Sequence, residues 1–131
     1  MEILDIYIKE LEDDTTINRF NLEEKQLKMP AIRAKWLSRY ANTKKDLYDL
    51  YDMLEEAKEK ITLKIKEESK ISLSDIAAEK QSETHELVRK IKKEIKVKQL
   101  LIDYLEKVEK TTSTITYDIK NIVDLIKAEQ S

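Results

Sequence analysis

The 131-residue sequence contains no glycine, and this limits its fold more than any motif in it. Without glycine, turns that need a positive φ must recruit strained residues, so tight hairpins and left-handed helix ends become hard to build. Phosphate-cradling loops and nucleophile elbows that rely on glycine are lost with them. Composition points the same way. Charged residues make up 40% of the chain, aromatics only 6%, and there is one proline. A mixture heavy in Glu, Lys, Leu and Ile belongs to long helices. The expected class is all-α: long amphipathic helices in a helical hairpin or bundle, organised as a single helical domain over residues 1–131.

Periodicity supplies the elements. Residues 2–13 read as a short acidic amphipathic helix, with Ile3, Leu4, Tyr7, Ile8 and Leu11 on one side. "DDTTIN" interrupts it with residues that favour caps and turns. Asn21, with Glu24 three residues on, resembles a capping box and starts a helix over about 22–29. Pro30 either kinks that helix or opens the next, which runs to about residue 70. Along it Ile32, Trp36, Tyr40, Leu47, Leu50, Tyr51, Leu54, Ala57, Ile61 and Ile65 recur at helical spacing. A flexible connection is expected over about 70–84, with Ser72 a plausible cap for the helix that follows. C-terminal helices complete the chain over about 85–129.

The last of these carries a strict seam. Leu101, Leu105, Val108, Thr112, Ile115, Ile119, Ile122 and Ile126 alternate steps of four and three, the coiled-coil heptad pattern. "TTSTITY", residues 111–117, is dense in β-branched residues that lower helix propensity, yet the seam passes through it unbroken. A helix about 60 Å long with one apolar stripe is hard to cover inside a compact chain of this length. Hairpin packing within the chain can cover part of the stripe, and the remainder argues for self-association. Leu101, Leu105, Val108, Ile115, Ile119, Ile122 and Ile126 are the expected interface of a homo-oligomer.

Charge is segregated within a net of −2. Residues 1–27 carry eight acids and three bases, whereas "KMPAIRAKWLSRYANTKK", 28–45, carries six bases and no acid. A second basic run, "RKIKKEIKVK" over 89–98, holds six bases against one acid. On a helical wheel Trp36 and Tyr40 fall in the packing stripe, and Lys28, Lys35 and Arg39 form a ridge along one flank of it. Lys60 and Lys64 project to the same side, whereas Lys58 and Lys66 point elsewhere. Such runs suit an anionic partner, single-stranded nucleic acid above all, although a solvated face or helix-stabilising ion pairs would give the same pattern.

Other chemistries are not supported. There is no cysteine for a disulfide or thiolate metal site, and the single His85 reads as a surface helix residue. Neighbouring acids such as Glu55 and Glu56 do not share a helical face, so no catalytic constellation assembles and no enzyme is expected. Nor is a cofactor, small-molecule substrate or membrane partner. No apolar run reaches the length of a membrane span, and the N-terminus is acidic rather than signal-like, which suits a cytoplasmic setting.

Lys35-Trp36-Leu37, followed by a small polar and basic spacer and the pair Lys44-Lys45, resembles the UvsY family, the recombination mediators of T-even-type phages. The length, the acidic N-terminal helix, the helix starting near Leu22 and the Lys-rich helix after the motif agree with it. The resemblance implies an accessory protein that forms ring-like homo-oligomers and binds single-stranded DNA in the host cytoplasm. It further implies that the protein helps a RecA-like recombinase replace a single-strand-binding protein during presynaptic filament assembly. In the family, DNA binding is associated with a Leu-Lys-x-Arg element. Leu63-Lys64-Ile65-Lys66 is the nearest match, with lysine for arginine, and an ungapped placement selects Lys58 and Lys60 instead. The expected DNA-binding set is therefore Lys35, Arg39, Lys44, Lys45, Lys58, Lys60, Lys64 and Lys66, with Arg89, Lys90, Lys92 and Lys93. The competing reading is a structural coiled-coil scaffold or prefoldin-like holder with no nucleic-acid role.

Overall fold

A computed structural model describes residues 2–130. The described residues form four helices: α1 (Glu2–Thr15), α2 (Leu22–Glu68), α3 (Asp75–Ser82) and α4 (Glu86–Gln130). No described residue has a positive φ. Polar side chains make the turns instead. Asn18 Oδ1 accepts from the Phe20 N–H at 2.8 Å and the Asn21 N–H at 3.1 Å, closing the link into α2. Asn21 precedes α2, but its amide serves the loop, bonding the Asn18 N–H and the Thr16 carbonyl, in place of a capping box with Glu24. Before α4, His85 Nδ1 accepts from the Leu87 N–H at 3.1 Å, so the single histidine is a helix cap.

Three sequence expectations change. The helices expected over 22–29 and 30–70 are one continuous α2 with Pro30 inside it. Proline withholds one N–H from the helix. Leu22 and Met29 before it and Trp36 after it are buried and Ile32 is half-buried, so packing holds both sides in register. The connection expected over 70–84 contains α3, capped by Ser74 rather than Ser72: the Ser74 Oγ accepts from the Ala77 N–H at 3.1 Å. The C-terminal helices are the single α4, which runs through 111–117. There the β-branched cost is offset by packing, with Thr112 buried and its hydroxyl donating to the Val108 carbonyl at 3.0 Å.

The chain divides into two compact units rather than one: residues 1–41 with 101–131, and residues 42–100. In the first, the start of α2 runs antiparallel to the end of α4. One apolar cluster joins Leu22 and Met29 to Ile119 and Val123. Another joins Trp36 to Leu101, Leu105 and Val108, with Leu4, Tyr7 and Leu11 of α1 packed against it. In the second unit Leu47, Leu50, Ala57 and Ile61 of α2, Ala78 and Ser82 of α3, and Val88 and Ile91 of α4 are buried.

The heptad seam is thus spent within the chain. Leu101, Leu105, Val108 and Ile119 are buried in these clusters, and Ile115 and Ile126 are half-buried against them. They are core residues here rather than a face offered to another copy. Ile122 is 39% exposed, and Val123 takes its place in the core. A straight helix of 3.6 residues per turn drifts from a strict 3.5-residue repeat, so the contact moves one residue along after a few turns.

Candidate nucleic-acid interface

The twelve basic side chains expected to meet DNA fall into groups with different surroundings. In the first unit Lys35 and Arg39 project from α2 beside buried Trp36 and are met by the acids of α1. Asp14 Oδ2 accepts from Lys35 Nζ at 2.5 Å and from the Trp36 indole N–H at 2.9 Å. Glu10 binds the Arg39 guanidinium through both oxygens and approaches Lys35 at 3.9 Å. The guanidinium lies 4.6 Å from the Tyr7 ring centroid and 4.8 Å from that of Trp36, close enough for cation–π attraction. Tyr7 and Trp36 meet edge to face at 5.4 Å. Lys35 and Arg39 of the first basic run are thus neutralised by Glu10 and Asp14 of the acidic start of the sequence. The signal was present in the adjoining opposite charges, but no spacing rule pairs residues across a turn.

Farther along α2, Lys44 is half-buried and Lys45 exposed. In the second unit Lys58 and Lys92 converge on one acid: Glu83 Oε1 lies 3.8 Å from the Lys58 ammonium and 4.0 Å from that of Lys92. One anion between a cation of α2 and a cation of α4 is a geometry that a phosphate could reproduce. Lys66 is tied to Asp75 at the start of α3, and this hydrogen bond, then the lysine charge, holds the Asp75 carboxyl below the ordinary carboxylate range.

Six other bases of this unit, which make no ion pair among the described residues, face solvent: Lys60, Lys64, Arg89, Lys90, Lys93 and Lys96. At about 100° per residue, Lys58 and Lys66 lie on one flank of the buried stripe of α2, and Lys60 and Lys64 on the other. On α4, Lys92, Lys96 and Arg89 share one side of Val88 and Ile91, and Lys90 takes the opposite side. The unit therefore carries two cationic flanks rather than one patch. In the same unit Lys98 lies 3.8 Å from Asp46, and in the first unit Arg33 lies 3.2 Å from Glu109.

A groove of about 650 Å³ in the first unit is floored by Trp36, Leu37, Tyr40 and Leu105 and rimmed by Asp103, Glu106, Lys107, Glu109 and Lys110. Its charged rim is mixed in sign, and the Tyr40 hydroxyl donates to Glu106 at 3.0 Å. Among the described residues no three His, Asp or Glu side chains are placed to hold a metal ion. No helix among them is long and apolar enough to cross a membrane.

The fold and its flanks define an all-helical protein that displays cationic surfaces on long antiparallel helices. The chain belongs to the UvsY family, described as recombination, repair and ssDNA-binding protein, which it matches over residues 10–130. Its fold is that of the bacteriophage T4 recombination mediator protein UvsY. One crystal form of that protein superposes with a TM-score of 0.79 at 17% identity, covering 96% of this chain and 98% of the other. A second gives 0.73 at 17% identity, covering 98% of each chain, and a third 0.70 at 17%, covering 92% and 96%. No curated protein sequence matches the chain.

Proposed function

We propose that the protein is a recombination mediator that binds single-stranded DNA and promotes loading of a RecA-like recombinase onto DNA covered by a single-strand-binding protein. Membership of the UvsY family over residues 10–130 carries this reading. The exposed bases of the second unit support it: Lys60, Lys64, Arg89, Lys90 and Lys93 make no ion pair among the described residues. Lys58 and Lys92, sharing Glu83, add a site where phosphate would replace a carboxylate. Each flank offers few phosphate contacts, so affinity must come from repetition. A ring-like homo-oligomer repeats the flanks and converts weak contacts into avidity. Exposed Tyr48, Tyr51, Met53, Leu63, Leu87 and Leu100 supply apolar surface for such assembly.

Fluorescence anisotropy with a labelled single-stranded oligonucleotide tests the reading. Binding is expected to weaken with salt, with a log–log slope of about −0.7 per phosphate neutralised. The double variant Lys60→Ala/Lys64→Ala is expected to bind more weakly and with a slope smaller in magnitude by about 1.4, two phosphate contacts at about 0.7 each. Absence of salt-sensitive binding would leave a structural scaffold as the function.

A further inference from the structure

Helix α1 is an unusual cover. It holds six acids and one base, and none of its residues is fully buried. Its apolar hold on the first unit is limited to half-buried Leu4, Tyr7 and Leu11. Ile3 and Ile6 face solvent at 46% and 57% exposure. A helix of 14 residues is marginal by itself. What fixes it is ionic: Glu10 on Arg39, Asp14 on Lys35 and on the Trp36 indole N–H. The carboxylates contact these cations as the oxygens of a phosphodiester could, and Tyr7 covers the indole edge to face.

We infer that α1 is a displaceable acidic cover over a second strand-binding surface built from Lys35, Arg39 and Trp36, and that single-stranded DNA competes with Glu10 and Asp14 for it. The inference rests on the DNA-binding reading and adds a regulated site to it. Energetically the contest is close. Ion pairs between partly exposed groups are individually weak. A polyanion brings many phosphates at once and gains from counterion release, which the carboxylates of α1 do not offer. Covering lowers apparent affinity by the fraction of molecules in which the surface is open. The flanks of the second unit lie outside this cover, so they can engage a strand while α1 stays docked. Opening the first unit then exposes its own cations and frees an acidic helix.

The test compares two charge-matched variants. Glu10→Gln/Asp14→Asn removes the two carboxylates that hold Lys35 and Arg39. Glu12→Gln/Asp13→Asn removes two exposed carboxylates of the same helix that make no such contact. At low salt the first is expected to bind oligonucleotide about tenfold more tightly than wild type, because the two weak pairs that hold the cover are released. The second is expected to change affinity about twofold at most. Adding Lys35→Gln and Arg39→Gln to the first variant should erase its gain. On the wild-type protein, hydrogen exchange of the amides of α1 is expected to speed up when oligonucleotide is added. Equal gains in the two acid variants would mean general repulsion and overturn the inference, as would unchanged or slower exchange in α1 at saturating DNA. A wild-type protein that binds with α1 unmoved overturns this inference alone; one that binds no oligonucleotide at any salt overturns the DNA reading as well.

Discussion

Trp36 concentrates most of the first unit's chemistry in one side chain. It is 2% exposed and central to a cluster with Leu101, Leu105 and Val108, and its indole N–H is satisfied by Asp14. Trp36→Ala is expected to cost about 3–5 kcal/mol in chemical denaturation followed by circular dichroism, the range for deleting a large buried aromatic. Burial raises the phenol pKa of neighbouring Tyr104, with the Glu12 charge adding to it. At the other extreme Asp75 is exposed, and its hydrogen bond and ion pair with Lys66 outweigh the opposing desolvation and lower its pKa. A depressed carboxyl pKa means that the link from α2 to α3 is intact above the ordinary carboxylate range. It is lost as pH falls through the lowered value. An NMR titration should find Asp75 below that range, and Lys66→Ala should return it. The sequence made Trp36 legible as a packing residue, because an aromatic in step with Ile32 and Tyr40 belongs to the stripe. It left Lys58 and Lys92 separate, because their meeting on Glu83 depends on how two distant helices pair.

The helices show which local signals are decisive and which yield to packing. Pro30 reads as a boundary because proline removes an intrahelical hydrogen bond, yet α2 passes through it with its core contacts on both sides. Pro30→Ala should therefore stabilise the protein by about 1–2 kcal/mol, as the regained helical bond and propensity outweigh the extra freedom of the unfolded chain. Ser74→Ala should cost about 1 kcal/mol and speed hydrogen exchange at Ala77, whose N–H the Ser74 hydroxyl accepts. Apolar spacing made the outer bounds of α2 and α4 legible, but not that each is one unbroken helix. The eight residues of α3 were not, since only Ala78 and Ser82 of that helix are buried and two positions make no periodic stripe. Placing the seam between copies rather than within the chain was the larger departure. A heptad states that a helix has a partner and is silent about whose helix it is.

At the scale of the molecule, self-association is the property on which the proposed avidity depends. Light scattering is expected to give a multiple of 15.5 kDa, and a monomer at all concentrations would remove the ring-like assembly from the proposal. The two units add a separate question, because α2 and α4 pass from one to the other without a break. The only tryptophan lies in the first unit, so its emission during unfolding follows that unit alone. Far-UV circular dichroism sums the helices of both. Coincident transitions by the two probes would show that helix continuity makes the chain one cooperative system. A gap between them would measure how independently the second unit melts, with no label or substitution needed.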